Sequence, residues 1–189
     1  MKKTLRQTAL DYRKQLAPEA IQAYSWRMCA HLTTLLQTFS TCTVGLFYPV
    51  RGEPDLLKIM DEAVLPHVNW ALPVCSDSPL GPLLRFAAYR AGQALEAGRY
   101  DIPVPAIKKW VTPNILVIPC VAYHPAGSRL GYGAGWYDRT LAQLQPVPLC
   151  VGVAYSATCI NQPFAEPHDH LLNYVVNEQG LIHCQSVDQ

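Results

Sequence analysis

The chain has 189 residues, half of them apolar and 15% charged, with a formal net charge of +1. That length suits one domain with a sizeable core, and that composition excludes a disordered chain. The near-zero balance gives no broad electrostatic footprint for a nucleic acid or a membrane surface, so neither is expected as a partner.

The opening "MKKTLRQTALDYRKQL" carries charges with no apolar stretch behind them, so no secretory signal is expected. No apolar run approaches the ~18 residues of a membrane span. Residues 2–16 read as a charged helix. Pro18 suits the first turn of a second helix. There Ile21, Tyr24, Met28, Leu32, Leu35, Leu36 and Phe39 recur at helical spacing and form one apolar face. "TVGLFYPV" at 43–50 is a β-rich run bounded by turn residues and reads as a buried strand. "DLLKIMDEAVL", opened by Pro54, reads as a third helix. "NWALPVC" at 69–75 and "LLRFAAY" at 83–89 read as strands, and 92–114 as irregular chain. "NILVIPCVAY" at 114–123 is almost wholly apolar, as a strand covered on both faces should be. "WYDRTLAQL" follows as a helix, "LCVGVAY" at 149–155 as another buried strand, and "NYVVNEQGLIHC" as a closing hairpin. Strands alternating with helices predict an α/β fold: a single three-layer α/β/α domain over residues 1–189 with a mostly parallel sheet.

Seven cysteines occur at 29, 42, 75, 120, 150, 159 and 184, an odd number with no CxxC pair. Several lie inside apolar runs, which predicts core thiols in a reducing cytoplasm.

"GSRLGYGAGWYDR" at 127–139 combines four glycines, three aromatics and fixed charges between an apolar strand and a helix. In an open α/β sheet, ligands gather beyond the carboxyl ends of the strands. A glycine-rich segment that opens a helix can aim backbone N–H groups at an anion. Glycine also permits close approach to a ligand. The loop is neither a Walker loop nor the GxGxxG fingerprint. By pattern alone a tight structural turn remains an equal reading. Arg129 and Arg139 can fork onto phosphate oxygens. Asp138 falls in the first helical turn, where a carboxylate caps, pairs with a cation, or holds Mg²⁺ beside phosphate.

This block, together with "KKTLR", "FYPVRGEPDL", "NILVIPCVAY" and "EPHDHLLNYVVNE" in order along the chain, resembles the 5-formyltetrahydrofolate cyclo-ligase (methenyltetrahydrofolate synthetase) family. The resemblance implies conversion of 5-formyltetrahydrofolate to 5,10-methenyltetrahydrofolate with ATP and Mg²⁺. ADP and phosphate would be released, and the formyl oxygen would be phosphorylated on the way. It implies ATP contacts from Lys2, Lys3 and Arg6 and from the loop Arg129, Leu130, Gly131, Tyr132, Gly133, Ala134, Gly135, Trp136 and Tyr137. Arg129 and Asp138 would be catalytic, and Asp138 and Asp169 would hold Mg²⁺. Tyr48, Glu53, Tyr100, Tyr132 and Trp136 would lie against the folate. A monomer is expected.

Three departures stand out. His124 follows Tyr123 where the family usually has Asp, Gly133-Ala134-Gly135-Trp136-Tyr137 stands where the family often has a second run of adjacent glycines and two tyrosines, and "DIPVP" replaces the commoner Glu-Pro ending. Lys108 and Lys109 are candidates for the anionic glutamate tail. His168 and His170 flank Asp169, but alternation in a strand would turn both away from it, and no further zinc ligands stand out. The competing readings are a non-catalytic folate or nucleotide binder on the same scaffold, and a phosphosugar- or CoA-handling enzyme.

Overall fold

A computed structural model describes residues 1–60, 64–79, 81–164, 166 and 169–184. Two helices open the chain: α1, Lys2–Gln15, and α2, Pro18–Leu36, with Pro18 in its first turn as expected. The strands that follow are β1 Cys42–Gly45, β2 Val68–Ser76, β3 Leu83–Ala88, β4 Leu95–Ala97, β5 Pro103–Pro105, β6 Trp110–Val111, β7 Ile115–Pro119, β8 Ala122–Tyr123 and β9 Arg129–Leu130. Helix α3, Trp136–Leu141, and strands β10 Leu149–Val153, β11 Tyr174–Asn177 and β12 Gly180–His183 complete the order.

Eight strands form one sheet in the order β12-β11-β10-β7-β1-β2-β3-β6. The five central strands, β11 to β2, run parallel, and antiparallel strands finish both edges. The strands alternate between two cores, as the two-residue side-chain period requires. Val44, Trp70, Ile115, Val117, Val151 and Val176 meet Met28, Leu32, Leu35 and Leu36 of α2 on one face. Ala71, Leu116, Ile118, Cys150 and Val175 meet Leu141 of α3 and Leu172 on the other. The mostly parallel three-layer α/β/α architecture expected from the sequence is therefore the one found. Of the cysteines, Cys29, Cys42, Cys120, Cys150 and Cys184 are buried, Cys75 and Cys159 are half-buried, and all seven are unpaired.

Five segments differ from the sequence reading. The strand expected over 43–50 is β1 alone and ends at Gly45. The helix expected at 55–65 is a single 3₁₀ turn, Leu57–Met60, and residues 61–63 lie outside the described ones. The irregular stretch 92–114 contains the β4–β5 hairpin and the edge strand β6. The strand expected over 114–123 breaks at Cys120. Its N–H still reaches Val153 O at 2.9 Å, but Val121 N–H turns to Leu130 O at 2.7 Å, so the chain folds back as the β8–β9 hairpin. Finally, α3 is six residues long; Ala142 N–H makes a last helical bond to Asp138 O, and Gln143 and Leu144 continue only with i→i−3 bonds.

The topology fixes where a site can lie. From β1 the chain passes to β2 on one side, and from β7 to β10 on the other. The crevice between the carboxyl ends of β1 and β7 is therefore the switch point of the sheet, where α/β folds bind ligands. Segment 46–56 follows β1, and the glycine loop follows the β7–β8 run. A third apolar cluster, Ala9, Val121, Ala122, Leu130 and Phe164, docks α1 against the β8–β9 hairpin and so against that crevice.

Candidate active site

The glycine loop runs from β9 into α3. Gly133 and Gly135 adopt left-handed backbone angles (φ 96° and 66°), which favour glycine. Gly131 does not need that freedom and has open space around it. A Cβ at Gly133 would lie 3.5 Å from the Arg6 guanidinium, so the residue leaves room for a cation beside the backbone. Arg139 braces the loop instead of facing the crevice: Nη2 donates to Ala134 O at 2.7 Å and Nε to Pro82 O at 2.9 Å.

The same face of α1 delivers Lys2, Arg6 and Arg13, spaced by four and seven residues as one helical stripe requires. Arg6 Nε donates to Gly131 O at 2.7 Å. Lys2 Nζ lies 2.9 Å from Asp169 Oδ2 and 3.1 Å from Glu166 Oε1. Burial opposes its charge, but the two carboxylates outweigh that and hold its pKa above the ordinary lysine value. Arg129 donates to Asp138 Oδ1 and to His170 O.

Behind the loop sits a buried polar knot. Glu53 and Arg13 are 5% and 3% exposed. Tyr132 Oη donates to Glu53 Oε1 at 2.9 Å, Arg13 Nη1 donates to Tyr132 Oη at 3.1 Å, and Arg13 Nη1 stands 4.0 Å from Glu53 Oε1. Val50 N–H donates to Glu53 Oε2 at 3.0 Å. Burial pushes the Glu53 carboxyl above the ordinary value, only partly offset by Val50, Tyr132, Arg13 and Arg51. Burial, with Glu53 beside it, also pushes the Tyr132 phenol up, so it stays protonated and donates.

All of this opens onto one cleft of ≈ 620 Å³. Lys2, Arg6, Tyr48, Glu53, Tyr100, every residue from Arg129 to Asp138, and Asp169 line it, whereas Lys3, which is exposed, and Arg139 do not. Tyr48 and Glu53 come from the segment after β1, and Tyr100 from the turn between β4 and β5. Trp136 faces Tyr100 edge-on with ring centroids 6.5 Å apart. Four charged residues of the cleft region went unremarked in the sequence: Arg13, Arg51, Arg99 and Glu166. Arg13 had a signal, the helical stripe shared with Lys2 and Arg6. The others had none, because loops outside a regular period bring them in. Lys108 is held elsewhere, by Glu96 at 2.6 Å and Pro105 O, and neither it nor Lys109 lines the cleft. His124 is likewise outside it: Nδ1 accepts Ala126 N–H at 3.0 Å and its carbonyl accepts Gly127 N–H at 2.9 Å, which closes the β8–β9 turn. His168, in the HxH pattern, lies outside the described residues.

Gly127 in that turn has φ 96°, and a Cβ there would meet Leu172 O at 2.6 Å. Gly127→Ala is therefore expected to destabilise the chain by about 2–4 kcal/mol, combining left-handed strain with a backbone collision. A denaturant midpoint unchanged from wild type would contradict this.

Three comparisons bear on the arrangement. The profile of the 5-formyltetrahydrofolate cyclo-ligase family matches residues 1–178. The chain is 29% identical over 182 residues to the 5-formyltetrahydrofolate cyclo-ligase of Mycolicibacterium smegmatis, covering 93% of each protein. It is 30% identical over 138 residues to that of Escherichia coli K12, covering 70% of this chain and 75% of the other. The solution structure of Aquifex aeolicus 5,10-methenyltetrahydrofolate synthetase superposes with a TM-score of 0.82 at 26% identity, over 100% of this chain and 95% of that one. A Mycoplasma pneumoniae 5,10-methenyltetrahydrofolate synthetase shares the fold, with a TM-score of 0.75 at 22% identity, over 94% of this chain and 98% of that one. With the family profile matching almost the whole chain, this protein belongs to the 5-formyltetrahydrofolate cyclo-ligase family.

Proposed function

We propose that this chain converts 5-formyltetrahydrofolate to 5,10-methenyltetrahydrofolate, driven by ATP. A formamide is a poor electrophile because its nitrogen donates into the carbonyl. Its oxygen is also a poor leaving group. In the proposed sequence the formyl oxygen attacks the γ-phosphorus and ADP departs. The resulting iminium phosphate is attacked at carbon by N10 of the folate, and inorganic phosphate leaves with the former formyl oxygen and takes up the N10 proton. The protein supplies position and charge rather than a nucleophile.

The observation that carries the reading is the single cleft at the sheet's switch point. It holds the α1 cations, the glycine loop, a buried carboxylate and two further carboxylates, Asp138 and Asp169. Lys2, Arg6 and Arg129 offset charge on the transferring phosphoryl group. Buried Glu53 accepts N–H donors of the pterin, with Tyr48 against its face and Trp136 further along the folate. Among the described residues no group of three or more His, Cys, Asp or Glu side chains gathers. Asp138 and Asp169 both line the cleft, and two carboxylates suit Mg²⁺, which takes one or two and completes its shell with phosphate oxygens and water. When bound, Mg²⁺ neutralises phosphate charge. Asp138 and Asp169 would hold it, exchanging their present contacts with Arg129 and Lys2.

The test mixes protein, ATP, MgCl₂ and 5-formyltetrahydrofolate and follows the near-ultraviolet absorbance of the methenyl product alongside ADP. Stoichiometric product and ADP are expected. Folate binding without product would favour the non-catalytic binder, and no folate binding would overturn the reading.

A further inference from the structure

The β4–β5 hairpin carries the least ordinary backbone of the cleft. Tyr100 and Asp101, at its tip, are consecutive non-glycine residues in the left-handed region (φ 60° and 57°). Such angles persist where surrounding structure imposes them, and they cluster at ligand sites. The tip holds Arg99 and Tyr100 against the cleft. The Arg99 guanidinium lies 5.5 Å from the Trp136 ring centroid and 5.7 Å from that of Tyr100. Nη1 donates to Asp77 Oδ1 at 2.8 Å, and Asp77 is an exposed carboxylate just beyond β2. Among the described residues Asp77 is the one acceptor Arg99 has, so most of its five N–H donors stay available.

The wall leading to Arg99 is apolar. Pro73 and Cys75 share one face of β2, Leu84 stands opposite Cys75 on β3, and Ile102 and Val104 close in from the hairpin. From Pro73 to Asp77 is four residues, about 13 Å of extended chain. One region of the cleft is therefore polar, around Glu53. Another is an apolar strip ending in a cation seated on two aromatic rings. The other cations lining the cleft stand away from this end: Lys2 pairs with Asp169 and Glu166, Arg129 with Asp138, Arg6 donates to Gly131 O of the glycine loop, and Arg51 lies over the Tyr132 ring beside Glu53.

A folate has the matching order of parts: a polar pterin, a flat aminobenzoyl linker and an anionic glutamate. We infer that Arg99 receives the tail carboxylates of the folate and makes this cleft selective for anionic-tailed substrates. The assignment rests on the activity proposed above. The pterin docks at Glu53, the aminobenzoyl ring lies along the strip of Pro73, Cys75, Leu84, Ile102 and Val104, and the guanidinium fork takes a tail carboxylate. Trp136 and Tyr100 fix the plane of that fork. Lys108 and Lys109, the cations singled out in the sequence, play no part.

The experiment compares 5-formyltetrahydrofolate with its diamide, in which both tail carboxylates are primary amides, on the wild type, Arg99→Ala and Arg99→Lys. KM comes from turnover and Kd from calorimetry, with circular dichroism checking the fold. Wild type is expected to favour the acid over the diamide by about tenfold, the scale of one charge-assisted hydrogen bond. Arg99→Ala should erase that preference by weakening the acid alone, and Arg99→Lys should keep part of it. Equal weakening of both compounds by Arg99→Ala, or no weakening of either, overturns the assignment while leaving the activity standing. A wild type that neither binds nor turns over either compound overturns both.

Discussion

Arg129→Ala is expected to lower turnover by about 10²-fold while the chain stays folded. Such a loss is of the order seen when one pre-positioned group that stabilises transition-state charge is removed. Arg129 leaves β9 at the foot of the glycine loop, and its side chain is 6% exposed. Its guanidinium is held on one side by Asp138 and on the other by His170 O. It thus arrives at the cleft already oriented, and a charge in so dry a place acts strongly on a phosphoryl group. The companion change, Asp138→Asn, is expected to cost at least tenfold. Asn keeps an acceptor for Arg129, which matters because a buried cation stripped of its partner destabilises a fold by about 3–5 kcal/mol. The Asn variant should therefore fold, and its loss would be chemical. Steady-state rates from methenyl absorbance, with circular dichroism as the folding control, measure both. Wild-type rates in the two variants would contradict the assigned site.

The second large effect falls on Glu53. Glu53→Gln is expected to raise KM for the folate by about 10- to 100-fold, the loss of a hydrogen bond to a charged acceptor. The pH dependence carries more information than the magnitude. Burial holds the Glu53 carboxyl above its ordinary value, against the opposing pull of Val50 N–H, Tyr132, Arg13 and Arg51. As pH falls through that raised value the carboxylate gains a proton and loses acceptor capacity. Wild-type KM for the folate should therefore climb on acidification, beginning above the ordinary carboxylate range, whereas the Gln variant should show no such limb. Stability moves with the same sign. The folded chain binds this proton more tightly than the unfolded chain, so wild type should lose stability relative to Glu53→Gln as pH rises from the ordinary carboxylate value through the raised one. Urea midpoints across pH 4–8 would read this, and parallel curves for the two proteins would contradict it.

Much of this was legible in the sequence because burial leaves a period. Met28, Leu32, Leu35 and Leu36 announced the inner face of α2. The unbroken apolar run from Ile115 announced a central strand because neighbours cover both its sides. The glycine loop was legible through residues whose chemistry is local: Gly133 and Gly135 at left-handed angles, Asp138 in the first turn of α3. What escaped depends on contacts between segments far apart in the chain. Arg13 reads as one more solvent-facing charge of α1 until Tyr132 and Glu53, 119 residues and 40 residues away, close around it. The β4–β5 hairpin is invisible to periodicity because each strand has three residues and the left-handed positions between them are Tyr100 and Asp101, not glycines. Arg139 looked like a phosphate ligand by position, but Ala134 O and Pro82 O claim its donors.

The fate of the formyl oxygen tests the account at its centre. 5-Formyltetrahydrofolate labelled with ¹⁸O in the formyl group is turned over with unlabelled ATP in unlabelled water, and the released phosphate is examined by mass spectrometry. If the glycine cradle brings the terminal phosphate against that oxygen, each phosphate released carries one ¹⁸O. If the label appears in water and the phosphate is unlabelled, the oxygen never met phosphorus in this cleft and the proposed chemistry is wrong.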